Sequence, residues 1–296
     1  MESTNVECCF CGPIKQCASF LPAVLKNIKK IGSYVFKNKY AIIVFYDKSS
    51  DSSLKQLQNY EKQIQELNLK NKTNIQMHII INYATTLSPY RTHRIATARN
   101  ACLTLMKKEY GECPYFIMMD FDDPNSKPCQ YPEKLMKYFD TTKLLNQWDA
   151  LSFQTTPHYY DIWALSIPPF SFSYNHLPNN DTYYYNIQNI MDKKLLNTKQ
   201  LVPCISAFNG FAIYKTAVFN DCQYSGDIRD SVKQSRQTNG DWIEQHKHVA
   251  YASTLVFLDY GNVKGKYEDC EHRPFHMQAI QKHGAKIRIS PEILFI

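Results

Sequence analysis

Glycine is scarce in this chain, with nine residues among 296. None of them falls in the spacing of a P-loop or of a G-x-G-x-x-G turn, which excludes the common glycine-cradled nucleotide sites. Long apolar runs are missing too. No stretch approaches the 18 or so uncharged apolar residues of a membrane span, so none is expected. The N-terminus lacks a basic segment followed by an apolar one, and no signal peptide is expected. Cysteine is present, ten residues in all, but zinc-type pairing is not. Cys8 and Cys11 form one C-x-x-C pair with Cys9 and Cys17 nearby, and no second pair follows. Without a secretion signal these read as reduced thiols in a cytoplasmic protein. A concentrated basic block is also absent. The net charge of +7 is mild and dispersed, which suits anionic small ligands and argues against a nucleic-acid partner.

What is present is an ordinary globular composition, 44% hydrophobic, with aromatics high at 14%. Apolar runs and helical spacings alternate along the first half. Residues 20–36 carry Leu21, Leu25, Ile28, Ile31 and Val35 at helical spacing. Residues 41–46 are an apolar strand, 52–69 a polar helix, 75–81 a second strand and 91–108 a helix with a basic start. Residues 115–119 form another strand. This alternation predicts an α/β layer structure with a Rossmann-type, mixed but mostly parallel sheet flanked by helices. The second half is less regular. Strand pieces are expected at 150–154, 213–214, 255–258 and 286–289, and a helix at 269–283. Residues 168–200 read as an ordered insertion and 220–247 as a polar loop. One domain is expected, with a ligand-binding half at 1–125 and a second half at 126–296.

The densest chemistry lies at Pro114–Asp123. The strand Tyr115–Met119 ends in Asp120, Asp122 and Asp123, and Pro124 breaks it. Carboxylates at the end of a buried strand cost desolvation energy unless a cation sits beside them. Oxygen ligands of this kind suit Mn²⁺ or Mg²⁺. Asp120 and Asp122 are two apart and share a side of an extended chain. A solvated turn is the bland alternative. Ligands of parallel sheets bind beyond the strands' carboxyl ends, and Asp47 also falls there. Its alternative is a role in capping the next helix.

Further clusters follow. If residues 6–10 are the first strand, Cys11-Gly12-Pro13 is a turn at the same edge, with Gly12 open to a ligand. Arg91, Arg94 and Arg99 crowd the start of a helix, where the macrodipole disfavours cations. The placement asks for a diphosphate, or for pairing with the strand-end aspartates. In Asp269-Cys270-Glu271-His272-Arg273-Pro274-Phe275-His276, the acids are candidate general bases. His272 and His276 are i, i+4 and could bind metal. Asn209-Gly210 suggests a hairpin turn or an acceptor pocket, and Asp161 and Trp163 in an aromatic segment suggest the same pocket.

The order of these features resembles that of GT-A-fold glycosyltransferases, and more narrowly glycosyltransferases assigned in large DNA viruses and some microbes. The resemblance rests on Cys11-Gly12-Pro13, Tyr46 to Asp51, Arg91 to Asn100, Met118 to Asp123, Tyr160 to Leu165, Ala207 to Phe211 and Asp269 to His272. It implies a nucleotide-diphosphate-sugar donor, a UDP-sugar foremost, and a Mn²⁺ or Mg²⁺ ion. By that resemblance Asp120 touches the ribose and Asp122 ligates the metal. Asp47 binds the base, and Glu271, or Asp269 behind it, is the catalytic base of an inverting reaction. His272 or His276 would complete the metal site. The acceptor would be a glycan or protein hydroxyl, and the setting a host cytoplasm or virion. Two other readings stay open: a metal-dependent nuclease or phosphotransferase on Asp120, Asp122 and Asp123, and an inactive nucleotide-sugar-binding protein.

Overall fold

The computed structural model describes residues 6–83, 88–140, 142–167, 180–231, 233–234 and 268–296. The strand expected at 255–258, and parts of the segments 168–200 and 220–247, lie outside the described residues. The chain builds β1 (Cys8–Ile14), α1 (Leu21–Val35), β2 (Tyr40–Asp47), α2 (Ser53–Asn71), β3 (Gln76–Asn82), α3 (Arg91–Tyr110) and β4 (Tyr115–Met119). Then come α4 (Asp123–Ser126), α5 (Glu133–Asp140), α6 (Thr142–Leu145), β5 (Ala150–Gln154), α7 (Asn180–Leu196), β6 (Val202–Cys204), β7 (Phe211–Lys215), α8 (Thr216–Phe219), α9 (His272–His283) and β8 (Ile287–Ile293).

Eight strands form one sheet in the order β3-β2-β1-β4-β7-β5-β8-β6. β3, β2, β1 and β4 are parallel neighbours; β7 reverses direction, β5 and β8 resume it, and β6 reverses again. The sheet is therefore mixed and mostly parallel, as expected. Both faces are buried, which is why its central strands are apolar throughout rather than alternating with polar residues. Side chains still separate with period two. Cys8, Phe10, Ile42, Val44, Ile117 and Met119 pack on one face with α1 and α2. Cys9, Cys11, Ile43, Phe45, Phe116 and Met118 pack on the other with α3 and α9. Cys8 and Cys11 thus belong to opposite faces, a geometry that cannot make one zinc site.

The first strand is a correction. Residues 8–14 are all strand, and Cys11-Gly12-Pro13 lies inside it rather than in a turn after it. β2 carries the pairing on to Ile14 opposite Tyr46. The ladder with β4 ends at Cys11, two residues before Pro13, where a missing N–H is cheap. A Cβ on Gly12 would lie 2.1 Å from the Met119 carbonyl oxygen and 2.8 Å from the Phe121 ring. Its openness therefore serves packing between β1 and the end of β4. The hairpin expected at Asn209-Gly210 is also corrected. Both residues have positive φ, 57° and 81°, and form a turn, but β6 and β7 are not neighbours in the sheet. α7 was not foreseen as a helix. Its Ile187, Met191 and Leu195 pack on Tyr159, Ile162 and Leu165 in a third apolar cluster.

Candidate active site

Because β1 to β4 run parallel, their carboxyl ends share one edge, and a cleft of about 440 Å³ opens there. Pro13 and Lys15 from β1 and its exit, Asp47 from β2, Arg91, Arg94 and Arg99 from α3, and Asp120 and Asp122 after β4 line it. The opposite wall brings Asp161 and Trp163 from the loop after β5, Phe208, and Glu271 and His272 at the start of α9. Residues far apart in sequence thus converge on one space. Cys11, Gly12, Asn209, Gly210, Asp269 and His276 are not among its lining residues.

At one end, Asp47 accepts hydrogen bonds from Lys15 Nζ at 2.6 Å, Asn82 Nδ2 at 3.1 Å and the Lys48 N–H at 3.0 Å. Burial pushes its carboxyl up, but the Lys15 and Asn82 bonds win and hold it below the usual range. Lys15 was not singled out in the sequence. Its signal was its place, one residue past the end of β1.

In the middle, Arg99 is 3% exposed and joins two carboxylates. Its Nε donates to Glu271 Oε1 and its Nη2 to Asp120 Oδ1, both at 2.9 Å. Its guanidinium lies 4.5 Å over the Phe208 ring. Burial alone would lower the Arg99 pKa; Asp120 and Glu271 outweigh it and raise it. Arg99 is therefore engaged in ion pairs with both carboxylates, the alternative to a diphosphate contact that the sequence left open, and its Nη1 keeps no partner. The anion sought by the start of α3 is also partly accounted for: the Glu268 carboxylate accepts from the Arg91 N–H at 3.0 Å and the Thr92 N–H at 3.4 Å. Glu268 was missed as a cap because it lies 177 residues from Arg91.

Glu271 stands just before α9, 4% exposed. Burial raises its pKa while Arg99 opposes the rise. Its Oε1 takes the Arg99 contact at 2.9 Å, and its own backbone N–H also supports the carboxylate. Asp269, the alternative base, is fully buried and paired with Arg273 Nε at 2.8 Å. Arg273 in turn donates to the Trp163 carbonyl and to Ser166. Asp269 thus holds the wall of the cleft and is corrected as a base.

The histidines divide in the same way. His276 Nδ1 lies 3.0 Å from Ser206 Oγ and its Nε2 3.1 Å from the Tyr214 hydroxyl. Both ring nitrogens are engaged, and burial pulls its pKa down to about 3. It is neutral and structural, a correction to its reading as a metal ligand. His272 stacks on Phe208 at 3.7 Å, and its Nε2 is buried without a hydrogen-bond partner. Asn209 also acts as a bracket. Its Oδ1 accepts from the Tyr160 and Asp161 N–H groups, and its Nδ2 donates to the Phe153 carbonyl and Thr155 Oγ1. Asp161 accepts from the Ala164 and Asn209 N–H groups. Asn209 and Gly210 thus shape the pocket wall from behind. Tyr160, in the aromatic segment expected near the acceptor pocket, brings its hydroxyl to 3.5 Å from Asp120 Oδ2.

Asp122 is left partly unsatisfied. Burial, reinforced by Asp120, raises its pKa to about 7. Its Oδ1 is buried with no partner. Arg99 Nη1, His272 Nε2 and Trp163 Nε1 are likewise buried and unpartnered, and all four residues line the cleft. Buried polar atoms without partners are uncommon and call for a ligand, ion or water. An unpaired carboxylate oxygen beside a second carboxylate fits a hard cation. Among the described residues there is no group of three or more His, Cys, Asp or Glu placed to hold a metal by themselves. A cation at Asp122 would therefore draw further ligands from substrate and water.

No family model matches the chain, and no curated protein does. Solved structures do. TarS residues 1–349 from S. aureus, in complex with UDP, match at 14% identity over 98% of this chain and 59% of that one, with a TM-score of 0.47. The mannosyltransferase PcManGT from Pyrobaculum calidifontis, in complex with GDP-Man and Mn²⁺, matches at 12% identity over 74% of this chain and 47% of that one, with a TM-score of 0.42. The chain spans about half the length of these structures. Likeness at this level carries nothing about chemistry.

Proposed function

We propose that the cleft is the active site of a metal-dependent glycosyltransferase, which moves a sugar from a nucleotide-diphosphate sugar to an acceptor hydroxyl. A UDP-sugar is the expected donor and a glycan or protein the expected acceptor. The observation that carries this reading is the juxtaposition in one cleft of Asp122, with its unpartnered buried oxygen, and Glu271, with Oε1 clamped by Arg99. Asp47 at the far end, held by Lys15 and Asn82, would bind the base. Asp120 would meet the ribose, and Arg91 and Arg94 would meet the diphosphate. The half of the chain at 1–125 would then hold the donor, and 126–296 the acceptor.

Asp122, with Asp120, would hold Mn²⁺ or Mg²⁺, which when bound acts as a Lewis acid on the leaving diphosphate. Glu271 Oε2 takes the acceptor's O–H proton. The acceptor oxygen bonds to the anomeric carbon as the bond from that carbon to the diphosphate oxygen breaks. The bonding pair leaves on the nucleoside diphosphate. A base on the wall facing the donor suits inversion. Burial that raises the Glu271 pKa also makes it a stronger base. Replacing Glu271 with Gln tests the assignment. Transfer should fall by about 10²–10⁴-fold while UDP binding with Mn²⁺ persists. Full activity in the variant removes Glu271 from the mechanism.

A further inference from the structure

Arg99 carries more structure than a phosphate-binding arginine needs. One edge of its guanidinium serves two carboxylates from different parts of the cleft, at 2.9 Å each. Phe208 lies 4.5 Å beneath it and Tyr224 5.9 Å away. Its side chain is 3% exposed, so it has little freedom to swing toward a ligand. A planar fork fixes a carboxylate's orientation as well as its charge. His272 Nε2 lies 3.6 Å from the same Glu271 oxygen, and burial holds that histidine neutral, so Arg99 is the cation paired with Glu271.

We propose that Arg99 is a positioning residue: it orients Glu271 for proton abstraction and braces it against Asp120, joining the base rigidly to the donor side of the cleft. This rests on the glycosyltransferase reading above. Asp120 fixes Nη2, Phe208 fixes the plane, and Nε on the same edge fixes Glu271 Oε1. Oε2 is left for the acceptor. Lysine keeps the charge but offers a single point on a flexible stem. It can stay with Asp120 and still lose the fixed orientation of Glu271.

The test compares wild type, Arg99→Lys, Glu271→Gln and the double variant. Each is given UDP-glucose, UDP-N-acetylglucosamine and GDP-mannose with Mn²⁺. Release of the nucleoside diphosphate into water is followed, with water as acceptor: its proton goes to Glu271, its oxygen to the anomeric carbon, and the diphosphate leaves with the bonding pair. The Kd for the free nucleoside diphosphate is measured alongside. Arg99→Lys should lower turnover by about 100-fold, the cost of misplacing a reacting group by an ångström, and leave that Kd unchanged. In the Glu271→Gln background the same substitution should cost no more than about twofold, because it acts through the missing base. Equal losses in both backgrounds overturn the proposal. So does an Arg99→Lys protein that binds nucleotide weakly and turns over normally, the behaviour of a phosphate ligand. Thermal melting of the Glu271→Gln pair separates misfolding from misplacement, since a double variant that melts with the single one retains the fold. Failure of the underlying reading shows elsewhere: the wild type itself would neither bind nor release any of the three nucleotides.

Discussion

Burial and the neighbouring Asp120 raise Asp122 to about 7, and an unfolded aspartate titrates near 3.9. The folded chain thus holds more protons than the unfolded one between these values. The contribution to stability is full below about pH 4 and is lost as pH rises through about 7. Asp122→Asn removes that loss. In EDTA, its Tm should exceed the wild type's at pH 7.5 by about 2–4 °C for each ~1 kcal/mol relieved, and the gap should close near pH 4. A variant that melts below wild type at pH 7.5 would show that Asp122 is structurally satisfied. Asp120, Asp122 and Glu271 were legible in the sequence because each stands at the end of a strand or the start of a helix, where polarity is otherwise costly. The fate of Arg99 was not. The sequence left phosphate and aspartate as alternatives, and the partner that decides, Glu271, lies 172 residues away. The resemblance placed Glu271 ahead of Asp269 as the base, but the physical reason, the Asp269–Arg273 pair, comes only with packing.

Apolar runs marked β2, β3, β4, β5 and β8 to within a few residues, since buried parallel strands have little else in them. The end of β1 was misplaced. A strand ends where its partners stop, and β2 extends the ladder through a Gly-Pro pair that reads locally as a turn. The glycine's packing role gives a direct expectation. Gly12→Ala should destabilise by at least the ~1–3 kcal/mol typical of overpacking, because the Met119 carbonyl it would meet is backbone and cannot swing aside. An unchanged urea midpoint would contradict the tight β1–β4 contact. The bracket at the β7 entrance is similar. Asn209→Ala removes three hydrogen bonds to the loop after β5 and one to β5 itself. At about 1 kcal/mol each the loss should be a few kcal/mol, visible in the same denaturation measurement. α7 escaped the sequence reading because its apolar positions sit among Tyr and Asn, and its face becomes a face only against Tyr159, Ile162 and Leu165.

For the whole molecule, the parallel run β3-β2-β1-β4 sets Asp47 and Asp120 on one edge, and the reversed β7 lets β5 and β8 continue the sheet beneath the opposite wall. The cleft is therefore a product of topology. Alternation of strands and helices made the first half of that topology readable, and the strand order beyond β4 was not, since nothing local encodes a reversal. No helix among the described residues is long and apolar enough to cross a membrane. On the proposed function, this edge binds a nucleotide sugar through a cation at Asp122. The most direct measurement is the melting temperature of wild type and Asp122→Ala with UDP-, GDP-, CMP- and dTDP-sugars, each in Mn²⁺ and in EDTA, since a ligand of the native state raises Tm by mass action. A rise with one nucleotide class, lost in EDTA and lost in Asp122→Ala, is the predicted result. The same rise in EDTA or in the variant, or no rise with any of them, would contradict it.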